Sequence, residues 1–156
     1  MKQASLNMTL LNVATVILLS SVTQTVAAQT AEQSVQFINH NNANALPFSE
    51  AVQVNNTLYL SGQIGFDNQT KQLVTGGVEA ETKATLNNIK RTLNQTGYQL
   101  NDVVKCTVML ADINDFGKFN QIYQQFFSSP YPARSTFAVS GLALNAQIEI
   151  ECIAAK

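Results

Sequence analysis

A chain of 156 residues with 46% apolar and 12% charged side chains has the size and composition of one packed domain, which excludes a disordered chain. Its formal net charge is −1, and no run of Lys or Arg interleaves with aromatics, which argues against a nucleic-acid partner. One histidine, His40, and two cysteines outside any Cys-x-x-Cys spacing leave no metal pattern and discount a histidine-based triad.

Lys2 is the only charge before Glu32, and Met8 to Leu19 (MTLLNVATVILL) is mostly apolar. A positive start, a short apolar run and small residues around Ala27-Ala28 describe a secretory signal peptide over residues 1–28. Cleavage is expected after Ala28, giving a periplasmic or secreted chain. The run is shorter than the roughly 20 residues that span a bilayer, so the mature form is expected to be free of the membrane. Residues 29–46 are rich in Asn and Gln and read as an irregular arm before a domain over residues 47–156.

Ala51-Val52-Gln53-Val54 and Thr57-Leu58-Tyr59-Leu60 flank Asn55-Asn56, which predicts a tight hairpin, since Asn tolerates positive φ. Ser61-Gly62-Gln63 breaks the run, and residues 66–77 read as a polar loop. Val78, Thr82, Leu86, Ile89 and Leu93 recur at helical spacing before Gly97, which predicts a helix of about twenty residues. Val103 to Leu110 reads as a buried strand, with Val104, Cys106, Val108 and Leu110 on one face. Asn114 is placed to cap a second helix, whose stripe of Phe116, Phe119, Tyr123 and Phe126 reads as core packing. Pro130 and Pro132 enforce irregular backbone. Two strands follow, about 135–140 and 146–154. The order β-β-α-β-α-β-β predicts an α+β fold, one mixed sheet with two helices on one face.

Arg134 stands at the junction between that proline-stiffened loop and a strand. A guanidinium there offers a fixed fork for a carboxylate, or a structural ion pair. Glu149 and Glu151 share one strand face, opposite Ile148, Ile150 and Cys152. They suit acid/base work, or the solvated side of an edge strand. Cys106 and Cys152 lie in apolar runs, so a disulfide and two buried thiols are both open.

Ser61-Gly62-Gln63-Ile64, VKCTVMLAD from Val104, FGKFNQIYQQFF from Phe116, Pro132-Ala133-Arg134-Ser135 and IEIECIA from Ile148 occur in order. Together they resemble the reactive intermediate deaminase family (RidA, or YjgF), over about Leu46 to Ala155. The resemblance implies a chorismate-mutase-like fold and a homotrimer with ligand clefts between subunits. It implies cofactor-free hydrolysis of 2-imino acids, of the 2-iminopropanoate and 2-iminobutanoate type, to 2-keto acids and ammonia. On this resemblance Arg134 grips the substrate carboxylate, Glu149 positions or activates water, and Ser61, Gly62 and Asn120 lie near the ligand. Two positions depart from the common pattern. Thr136 replaces a frequent cysteine, and Phe48 replaces a frequent tyrosine at the cleft wall. These departures keep open a non-catalytic small-carboxylate binder, and a chaperone-like trimer is a third reading. An exported member would also need a source of imine outside the cytoplasm.

Overall fold

A computed structural model describes residues 34–40 and 47–156. The expected signal peptide over residues 1–28 lies outside the described residues. The strands in chain order begin with β1 (Val35–Ile38), β2 (Ala51–Val54), β3 (Thr57–Leu60) and β4 (Gln63–Ile64). The short β5 (Phe66–Asp67) and β6 (Gln72–Leu73) precede helix α1 (Gly77–Gln95). Then come β7 (Val103–Leu110), helix α2 (Phe116–Tyr123), β8 (Ala133–Ala138) and β9 (Ile148–Ala155).

The main sheet runs β1-β2-β3-β9-β7-β8, with β4 also paired to β9. All of its pairings are antiparallel except β7 with β8, which are parallel and joined through α2. Both helices cover one face. Leu86, Ile89 and Leu93 of α1, with Phe119 and Tyr123 of α2, form one core with Leu58, Cys106, Val108, Leu110, Ile148 and Ile150. Each fully buried aliphatic side chain contributes about 1.5–3 kcal/mol. The other face of the sheet is left open, and Phe37, Tyr59 and Phe137 are exposed there.

The mixed sheet and the two helices agree with the sequence reading, and five details differ. Part of the arm expected to be irregular is β1, because the free edge of β2 recruits it by main-chain hydrogen bonds and Ile38 packs on the core. The loop after Gly62 contains β4 and the β5–β6 hairpin. A bulge near the start of β7 turns Val103 inward and leaves Val104 exposed, reversing their expected faces. Asp112, rather than Asn114, caps the approach to α2, accepting from the Asn114 N–H. The last two strands are not neighbours, and β9 is central rather than an edge, because β7 lies between it and β8.

Cys106 and Cys152 face each other across β7 and β9, with Cα atoms 4.2 Å apart, and form a disulfide. Glu50 ties the start of the domain to α1. Its carboxylate accepts from the Thr92 hydroxyl at 2.6 Å and from the His40 N–H at 3.2 Å. Burial alone would raise its pKa, but these hydrogen bonds outweigh it and hold the group low. The clasp therefore stabilises the fold above the usual glutamate range, and the effect is lost as pH falls through that lowered value.

Candidate functional site

Arg134 sits on β8 in register with Cys106, so its side chain leaves the sheet on the helix-covered face. Its Nη2 donates to Asn120 Oδ1 at 2.9 Å. The guanidinium carbon lies 4.6 Å from the Tyr123 ring centroid, 5.0 Å from Phe119 and 5.7 Å from Phe116. Among the described residues no carboxylate pairs with it, so the structural ion pair left open by the sequence is not formed. Thr136 lies two residues further along the same strand face, and its buried hydroxyl has no hydrogen-bond partner among the described residues.

The other sequence-chosen residues gather elsewhere. Glu149 is opposite Met109 and Ile64, on the open face of the sheet. Its carboxylate lies over Gly62, so closely that a methyl group on Gly62 would collide with Oε1 and approach Cδ to 2.9 Å. Ser61 donates its hydroxyl to the Ser49 carbonyl at 2.6 Å, and its N–H to the Glu50 carbonyl at 3.1 Å. Ser61 therefore pins the segment that carries Phe48, whose ring is exposed. Burial raises the Glu149 pKa, and the neighbouring Glu151 charge adds to the rise.

The residues thus form two groups, Asn120–Arg134–Thr136 and Phe48–Ser61–Gly62–Glu149. Within one chain β7 separates them, and Arg134 and Glu149 project from opposite faces of the sheet. Strand spacing alone puts their backbones roughly 10 Å apart. The aromatic surround of Arg134 was read from sequence as core packing only. Phe119 and Tyr123 do both jobs, and the signal was their helical spacing around Asn120. No group of three or more His, Cys, Asp or Glu among the described residues could hold a metal ion.

Gly62→Ala is expected to displace the Glu149 carboxylate by rotating a flexible side chain, at a stability cost under about 1 kcal/mol. Thermal unfolding checks this, and a large loss of stability would mean that the Glu149 side chain cannot yield.

The family model described as Endoribonuclease L-PSP matches residues 38–156. The chain belongs to the RidA/YjgF family. It is 49% identical over 108 residues to the human 2-iminobutanoate/2-iminopropanoate deaminase, covering 69% of this chain and 79% of that protein. The structure of RidA from an Antarctic Psychrobacter is similar with a TM-score of 0.69 and 40% identity, covering 72% of this chain and 90% of that one. Escherichia coli TdcF, whose structure holds bound serine, is similar with a TM-score of 0.67 and 32% identity, covering 71% of this chain and 89% of that one. The matched range therefore spans β2 to β9, and both groups of site residues lie within it.

Proposed function

We propose that the chain is a cofactor-free deaminase that hydrolyses 2-imino acids, of the 2-iminobutanoate and 2-iminopropanoate type, to 2-keto acids and ammonia. The observation that carries this reading is Arg134, a guanidinium oriented by Asn120 and left without a carboxylate partner among the described residues. Its fork takes the substrate carboxylate by two charge-assisted hydrogen bonds. That fixes the C=N carbon in front of a water molecule. Glu149 accepts the water proton as the C–O bond forms. Glu149 returns that proton to the imine nitrogen, giving a carbinolamine, whose hydroxyl proton passes to the nitrogen as the C–N bond breaks, so that ammonia leaves and the carbonyl is established. The human relative's name and the serine bound to TdcF both support a small amino-acid-derived ligand. The ribonuclease wording of the family description has no counterpart in the charge of this chain, which lacks a basic footprint.

Because one chain holds Arg134 and Glu149 on opposite faces, the complete site joins Arg134 of one copy to Glu149 of another, in clefts of a homotrimer. The exposed Phe37, Tyr59 and Phe137 on the open sheet face support packing of copies there. Export to an oxidising compartment is part of the same proposal, supported by the Cys106–Cys152 disulfide. The imine would there come from oxidation or dehydrogenation of amino acids. The test couples the protein to an amino-acid oxidase and follows keto-acid release. Wild type should accelerate release, and no acceleration at any protein concentration would overturn the reading.

The pH profile carries a further expectation. Glu149 must be ionised to act as a base, and its pKa is raised, so kcat/KM should rise with pH through a value above the ordinary glutamate range. Glu151→Gln removes the like charge, and the acid limb should move to lower pH. An acid limb that stays in place would mean that another group titrates.

A further inference from the structure

Arg134 is half-buried against α2, and an arginine so covered is ordinarily held by a carboxylate. Here every contact is uncharged. Three ring faces lie 4.6–5.7 Å from the guanidinium carbon, and the one side-chain acceptor is an amide oxygen, Asn120 Oδ1. The acid nearest the start of α2, Asp115, is taken by Lys118 at 2.8 Å. Ring faces carry partial negative charge and an amide oxygen a partial one, so both orient a cation without cancelling it. An acidic group in the same place would consume the charge that a ligand needs.

We propose that Asn120, Phe119 and Tyr123 are positioning residues that form a charge-neutral cradle, fixing the Arg134 guanidinium while leaving its charge free for a substrate carboxylate. The proposal rests on the deaminase reading and adds why the α2 face is aromatic and amide rather than acidic. The Tyr123 hydroxyl fits this role. It is buried without a hydrogen-bond partner among the described residues, and burial pushes its pKa up to about 12 against the opposing pull of Arg134. The ring therefore stays neutral at working pH.

The deciding variant is Asn120→Asp, which keeps size and acceptor geometry and adds one charge at the 2.9 Å contact. The probes are steady-state imine hydrolysis and calorimetric binding of 2-oxobutanoate, with thermal unfolding alongside. The expected result is an unfolding midpoint equal to or above wild type, with KM and the 2-oxobutanoate Kd raised about 100-fold, as pairing of the guanidinium implies. A merely structural Asn120 predicts the opposite, because the hydrogen bond is preserved. Wild-type KM and Kd in Asn120→Asp would overturn the cradle, and so would a lowered midpoint, which would mean that no ion pair forms. Tyr123→Leu should raise KM about tenfold, as loss of one desolvated ring face implies, and Tyr123→Phe should bring it back. If Tyr123→Leu does not fold, Phe116→Leu, at a position 40% exposed, makes the same comparison with a smaller rise. Binding without turnover in wild type would sink the deaminase reading and leave the cradle judged on Kd alone. Neither binding nor turnover would sink both.

Discussion

Arg134→Ala should lower kcat/KM for a 2-imino acid by roughly 100- to 10,000-fold while leaving the protein folded. Two hydrogen bonds between a guanidinium and a carboxylate are worth about 1.5–3 kcal/mol each. Each 1.36 kcal/mol is about tenfold in rate. No other cation in the described residues shares the contact with Asn120 and the α2 rings, so nothing nearby substitutes for it. Stability should change little, because the removed group is half-buried, pairs with no acid and occupies an edge strand. Arg134→Lys should recover only part of the loss, since an ammonium keeps the charge but not the fork. The oxidase-coupled assay measures all three proteins side by side. Equal keto-acid release by wild type and Arg134→Ala would end the assignment of Arg134 as the carboxylate anchor.

The second large effect is on stability. The Cys106–Cys152 disulfide closes a loop with a sequence separation of 46 residues. Loop-closure entropy of that size corresponds to about 4 kcal/mol at 25 °C, the upper end of the usual range. The double substitution Cys106→Ala with Cys152→Ala also removes two fully buried sulfurs, which adds to the loss. An unfolding midpoint about 10–15 °C lower is therefore expected in calorimetry. Turnover at 25 °C should survive, because the ladder hydrogen bonds of β7 still position β8 and β9. Reductant should act slowly on the folded protein, since both sulfurs are shielded from solvent. A midpoint within about 2 °C of wild type would show that the bridge adds nothing in solution.

Local pattern carried much of the fold. Leu86, Ile89 and Leu93 announced α1, and Asn55 turns the β2–β3 hairpin at φ 52 as its residue type suggested. Long-range pairing was not legible. Nothing in IEIECIA says that it lies between β3 and β7, because a strand's neighbours depend on closures distant in sequence. β1 was missed for a related reason, since main-chain bonding to a free edge leaves little trace in an Asn- and Gln-rich segment. At the site, Arg134, Asn120 and Glu149 stand out by residue type and setting in the sequence, but their relative placement does not. Arg134 and Glu149 belong to different faces, a fact fixed by the register of β7 with each neighbour. Asn120 was chosen as a supporting residue, whereas its contact with Arg134 became visible only once α2 was laid over β8.

The central place of β9 also sets an order of assembly. Ile148–Ala155 is the last strand of the domain to be synthesised, yet it joins β3 and β4 on one side to β7 on the other. Until it arrives, the earlier hairpin and the β7–β8 pair lack the strand between them, and Cys106 lacks its partner. A nascent chain therefore cannot finish this sheet until Ile148–Ala155 has left the ribosome, and the non-local closure is its slow step.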